Sequence, residues 1–169
     1  EVLGANVAIR QGGLTLGELD LLLRDAEGIH HLELAIKLYL GPNSGAGRLH
    51  ANWRGAGRED NLERKLNHLC SQQLVLSSSA AAQPILANLG VTQLQPQMWL
   101  SGYLFYPWPT ACDSPAGVHA LAHKGRWLQH RDWPDFITDS AIQHWQLLPR
   151  ECRLAPLSVR EGLHGTNAT

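Results

Sequence analysis

The chain has 169 residues, 44% hydrophobic and 17% charged, with a formal net charge of −1 when its nine histidines are counted neutral. That is a globular composition. It carries no bulk basic field, so a nucleic-acid partner would have to be met by a local patch. No apolar run reaches the roughly 18 residues that cross a bilayer, and no signal-peptide pattern opens the chain. A membrane partner is therefore not expected.

Three strands are predicted first: Val7 to Arg10, Thr15 to Arg24 and Ile29 to Leu40. The Gln11-Gly12-Gly13 turn and the Asp25-Ala26-Glu27-Gly28 connection join them into an antiparallel meander. Gly41 to Gly57 reads as a long loop. A helix is expected over about residues 58–74, with Leu62, Leu66, Leu69 and Gln73 on one face and Arg64, Lys65 and His68 on others. Gln83 to Asn88 is a second, short helix. Gln97 to Tyr106 is a fourth strand, rich in aromatic residues. Gly125 to His130 and Gln143 to Leu148 read as extended pieces, and Trp133 opens a short helix. These elements predict an α/β domain over residues 1–157 with a polar tail at 158–169. Cys70, Cys112 and Cys152 lie far apart without metal-ligand spacing, which predicts free thiols in a reducing cytoplasm.

The chemistry concentrates in the second and third strands. Period-two alternation puts Leu19, Leu21 and Leu23 on one face, and Glu18, Asp20, Leu22 and Arg24 on the other. In the third strand Leu32, Leu34, Ile36 and Leu38 share a face, opposite His31, Glu33, Ala35, Lys37 and Tyr39. Pairing through the Asp25–Gly28 turn brings Asp20 opposite Glu33. Two neighbouring carboxylates repel unless a hard cation such as magnesium lies between them. Such a cation polarises a phosphodiester and activates water, while a lysine on the same face stabilises developing charge. The aliphatic flanks resemble a strand buried on both sides, where a lysine needs a partner.

The order Gly17-Glu18-Leu19-Asp20, turn, then Glu33 and Lys37 in an apolar strand resembles the PD-(D/E)xK nuclease superfamily. The stretches Gly17 to Arg24 and His31 to Gly41 are similar to the bacterial domain-of-unknown-function family 1853. Lys65 to Leu69, Gln73-Leu74 and Gly102 to Pro107 agree with it too. The resemblance implies a restriction-endonuclease-like core, a central mixed sheet flanked by helices, with an N-terminal helix ahead of this chain. It implies hydrolysis of DNA or RNA phosphodiesters with Mg2+ or Mn2+. Carried over by position, Asp20 and Glu33 are the metal ligands and Asp20, Glu33 and Lys37 the catalytic residues. This chain departs from the usual spacing. Ala35 stands where the lysine is expected, and Lys37 lies about 6.6 Å further along the same face. The alternative is a nuclease-fold module that binds nucleic acid or protein without cleaving.

Other candidates are weaker. Arg58, Arg64 and Lys65, with Arg48, Arg54 and Trp53, form a mildly basic region that could contact phosphates and stack on a base. Gln72 and Gln73 could project into the site from the helix end, although a plain C-terminal turn is the simpler reading. His119 and His123 have i, i+4 spacing but no HExxH context. Trp99, Trp108, Trp127, Trp133 and Trp145 are expected in the core. The sequence points to no particular oligomeric state.

Overall fold

A computed structural model describes residues 1–55, 57, 59–140 and 147–149. They fall into two compact units, Glu1–Arg126 and Trp127 onward. The expected strand at Gln143 to Leu148 lies largely outside the described residues, and the 158–169 tail wholly so. Described in the second unit are a 3-10 turn at His130–Asp132 and a helix at Trp133–Asp139, opened by Pro134 in its first turn.

The first unit is built on an open five-stranded mixed sheet of order β1-β2-β3-β4-β5. The strands are β1 (Val2–Gln11), β2 (Leu14–Arg24), β3 (Ile29–Leu40), β4 (Gln95–Pro107) and β5 (His123–Trp127). The first three form the expected antiparallel meander. β4 returns parallel to β3, after a helical crossover of the kind parallel strands require. The chain is thus of the α/β class. At the first hairpin, Gly12 and Gly13 both adopt positive φ. At the second, the Asp25 carboxylate accepts from the amides of Glu27 (2.8 Å) and Gly28 (3.2 Å), an Asx-type closure. These backbone bonds, with His30, hold Asp25 below the usual carboxylate range.

The crossover carries α1 (Leu62–His68), a wider π-type segment (Leu69–Gln73), α2 (Leu74–Leu76) and α3 (Gln83–Asn88). The helix begins later than residue 58 because Asn61 caps it, its side chain accepting from the Arg64 amide at 2.8 Å. Two apolar clusters anchor the helices to one sheet face. One joins Ile9, Leu19 and Leu22 to Ala82, Leu86 and Val91. The other joins Tyr39 and Leu104 to Trp53 and Leu62. Each buried leucine contributes on the order of 1.5–3 kcal/mol.

Two face assignments need correcting. In β2, Leu19 and Leu22 are both buried in one cluster, so alternation breaks between them. Where Asn6 of β1 faces this break, it takes the left-handed φ of 49°. In β3 the parity holds, but the helices cover the polar face. Glu33 and His31 are fully buried, while Leu34, Ile36, Leu38 and Leu40 on the other face are 38–61% exposed. β3 is therefore not covered on both sides among the described residues. Trp99 is also exposed, at 65%, rather than in the core.

Gly102 of β4 pairs with Lys37 at φ 131°, and a Cβ there would fall 1.8 Å from the Lys37 carbonyl oxygen. Gly102→Ala should therefore destabilise the protein by about 2 kcal/mol or more, read as a lower urea midpoint. An unchanged midpoint would contradict this register.

Candidate active site

The site arises where two paired strands part. β2 and β3 pair through Leu21–Leu32, Leu22–His31, Leu23–His30 and Arg24–Ile29, and the ladder ends there. Beyond it, side chains replace the missing backbone bonds. The Asp20 carboxylate accepts from the Leu34 amide at 2.8 Å, and the Glu33 carboxylate lies 3.5 Å from the Asp20 amide. Each acid is clasped to the other's strand. The pairing expected from the hairpin register is thus realised, with the side chains in place of the ladder.

Glu33 is fully buried and held from two further directions. His31, two residues earlier on the same strand face, sets Nε2 2.7 Å from Oε1. Gln73 donates its amide to Oε2 at 2.7 Å, and its own carbonyl faces Lys65 Nζ at 3.4 Å. A buried carboxylate without such donors would be costly. Gln73 is therefore a site residue, not an ordinary helix end, and Lys65 reaches its side chain. The signal was present in the sequence: Gln73 continues the Leu62, Leu66, Leu69 face, so it is a polar residue at a core-facing position. It closes the π-type segment, a feature frequent at functional sites.

Lys37 shares the β3 face with Glu33 but turns elsewhere. Its Nζ pairs with Asp60 at 3.0 Å, both side chains 36% exposed. Asp60 is a residue whose role the sequence reading missed, because it fell in the first turn of the expected 58–74 helix, whereas it precedes the Asn61 cap. The loop is pinned by the Leu40–Arg54 and Arg54–Asn61 bridges and by the Gly55 amide on the Asp60 carbonyl at 2.9 Å. Any side chain at Gly55 would strike the Asp60 carboxylate, with Cβ 2.7 Å from Oδ2. Tyr39, next on the same face, buries its hydroxyl beside Asp60 without a well-formed hydrogen bond. Burial, and then the Asp60 charge, raise its ionisation well above the usual phenol range.

In the basic region, Trp53 is not available as the stacking residue expected there. Trp53 is fully buried, its indole N–H donated to the Gly47 carbonyl and its ring edge-on to Tyr106 at 5.2 Å. It cannot stack on a base. The Arg64 guanidinium bonds the Glu59 carbonyl on the exposed helix start, and Arg58 lies outside the described residues. His119 and His123 are not on a helix. No group of three or more His, Cys, Asp or Glu able to hold a metal occurs among the described residues. The donor set still suits one hard cation, because magnesium is commonly held by one or two carboxylates, with water and phosphate oxygens completing its shell. Asp20 and Glu33 supply that carboxylate pair.

Tyr39→Phe isolates one electrostatic feature. The unfolded tyrosine ionises near the ordinary phenol value of 10.0, whereas the folded one stays neutral to higher pH. Stability from this group is therefore present below pH 10 and lost as pH rises above it. The variant should match the parent within about 1 kcal/mol at neutral pH and lose less stability above pH 10 in urea titrations. Parallel alkaline loss in both proteins would contradict the burial of this hydroxyl.

Comparison with known proteins adds one finding. No curated protein and no solved structure matches the chain. The profile of the family described as "Domain of unknown function (DUF1853)" matches residues 1–168. The chain with the clasped Asp20 and Glu33 belongs to that family.

Proposed function

We propose that the protein is a nuclease-like hydrolase of the PD-(D/E)xK kind, cleaving DNA or RNA phosphodiesters with Mg2+ or Mn2+. The observation that carries this reading is the reciprocal clasp of Asp20 and Glu33 across the parting of β2 and β3. It brings each acid to the other's strand at a break in the sheet, where one cation could be shared between them. A five-stranded mixed sheet with a helical crossover is compatible with a restriction-endonuclease-like core.

In this reading Asp20 and Glu33 hold the cation, with Glu33 oriented by His31 and Gln73 in the manner of outer partners that fix a ligand. When bound, the cation would polarise the phosphodiester and lower the pKa of water. Water adds to phosphorus, the ester P–O bond breaks, and the leaving oxygen takes up a proton. Lys37 stabilises the charge that develops on the phosphate oxygens. Its ammonium has three donors, of which Asp60 takes one. Its place two residues beyond Ala35 keeps it on the required face.

A second reading has its own support: a nuclease-fold module that binds without cleaving. Lys37 is neutralised by Asp60, and both oxygens of Glu33 are already engaged by protein donors. A cytoplasmic setting suits either reading. Among the described residues no helix is long and apolar enough to cross a membrane, and Cys70 and Cys112 are free.

The readings separate in one assay. The full chain is incubated with DNA and RNA oligonucleotides in Mg2+ or Mn2+, beside Asp20→Ala. The hydrolase reading predicts metal-dependent cleavage that falls by about a hundredfold or more in the variant. Equal cleavage by both proteins would overturn it, and binding without cleavage would favour the module.

A further inference from the structure

The chain holds three lysines, Lys37, Lys65 and Lys124, and their surroundings differ. Lys37 is paired with Asp60 at 3.0 Å. Lys124 lies over the ring of Tyr106, 5.8 Å from its centroid. Lys65 has no carboxylate within ion-pair distance among the described residues. Its own helix offers none, because the positions three and four residues away are Leu62, Asn61, His68 and Leu69. Its ammonium instead makes one side-chain hydrogen bond among the described residues, donated to the Gln73 carbonyl oxygen at 3.4 Å.

The Gln73 carboxamide is directional in this setting. A carboxylate only accepts and an ammonium only donates. Nε2 must therefore face Glu33, at 2.7 Å, and Oε1 must face Lys65. The oxygen and nitrogen of one amide are about 2.2 Å apart, so the Lys65 ammonium stands within about 8 Å of the Glu33 carboxylate. A phosphate at the acid pair lies within its reach. The helix is distorted in the way this contact needs. On an ideal α-helix, residues eight apart point about 80° away from one another around the axis. The π-type segment Leu69–Gln73 fits more residues into a turn and so rotates less per residue. That lag returns Gln73 toward the side of the axis that carries Lys65.

We propose that Lys65 contacts a non-bridging phosphate oxygen of a nucleic-acid strand at the acid pair, with Gln73 as its positioning residue. The proposal rests on the reading of Asp20 and Glu33 as the place where a phosphodiester is bound. It supplies the site with a cation that no carboxylate shares, whereas Lys37 divides its charge with Asp60. Gln73 then serves both sides with one group: its nitrogen holds Glu33 and its oxygen holds Lys65.

The test is fluorescence anisotropy of the full chain in EDTA, with a fluorescein-labelled oligothymidylate of about a dozen nucleotides, over a range of KCl concentrations. Lys65→Gln should weaken binding about fivefold or more at the lowest salt. It should also flatten the slope of log K against log salt by about 0.7, the share of one phosphate contact on a single strand. Lys65→Arg should restore most of both, because it keeps the charge. Arg10→Gln removes an equal charge from an exposed position on β1, and should leave affinity within about twofold and the slope unchanged. Gln73→Met should lose part of the same affinity and add no further loss to Lys65→Gln. Unchanged affinity in Lys65→Gln, a loss without a change of slope, an equal loss in Arg10→Gln, or no binding by the parent overturns the proposal. Additive losses at Lys65 and Gln73 overturn the positioning role. Cleavage, measured separately in Mg2+, tells the two readings apart. Asp20-dependent cleavage by a protein whose strand binding ignores Lys65 would overturn the proposal and keep the hydrolase. Lys65-dependent binding without cleavage would do the reverse.

Discussion

The separation of β2 from β3 after the Leu21–Leu32 pair is the constraint on which the rest of the first unit depends. A sheet that simply continued would place backbone amides opposite carbonyls and leave its side chains to pack above and below. Here the ladder stops, and the unpaired amides of Asp20 and Leu34 turn to carboxylates instead. Backbone donors released from a ladder need other acceptors. Meeting them with acids converts a break in secondary structure into a charged notch.

That notch is tolerated because the helical crossover brackets it. Leu62 and Leu66 pack on the Tyr39–Trp53 cluster, and Leu76 packs on the Ile9–Leu19–Leu22 cluster. Lys65 and Gln73 lie between these anchors in the chain, and Gln73 reaches Glu33 of β3 between the same two clusters. The helix is held by apolar contact at both ends and delivers polar groups in between. Glu33 is thereby compensated by His31 and Gln73, while His31 Nδ1 is itself buried without a hydrogen-bond partner among the described residues. The Lys37–Asp60 pair is of another kind. It is one-third exposed, so solvent screens it, and it adds little stability. Its weight is positional: it sets where the ammonium stands on the polar face of β3.

Much of this was legible in the sequence. The aliphatic run from Ile29 to Leu40, bounded by Gly28 and Gly41-Pro42, marks β3 to the residue. The Asp25–Gly28 turn sets the register that brings Asp20 to Glu33. Parity also placed Glu33, Lys37 and Tyr39 on one side of β3. What parity cannot tell is which side the helices cover. The natural inference from Leu34, Ile36 and Leu38 favours the aliphatic face, yet the polar one is buried. Tertiary pairing overrides pattern here, because Gln73 and His31 supply the donors that make burial of Glu33 possible. The break at Leu19–Leu22 was equally hidden, since it accompanies a left-handed Asn6 in the neighbouring strand. Trp53 comes from an aperiodic loop and Asp60 from its junction with the expected helix, where only the folded bridges at Arg54 reveal which side chains turn inward.

The most direct measurement of the central claim is a titration of the full chain with substoichiometric Mn2+, followed by broadening of backbone amide signals in the NMR spectrum. A paramagnetic ion held by Asp20 and Glu33 must broaden the amides of Asp20 and Leu34 first, and Asp20→Ala must abolish that broadening. Broadening that spares these two amides, or that concentrates at His119 and His123, would contradict the account.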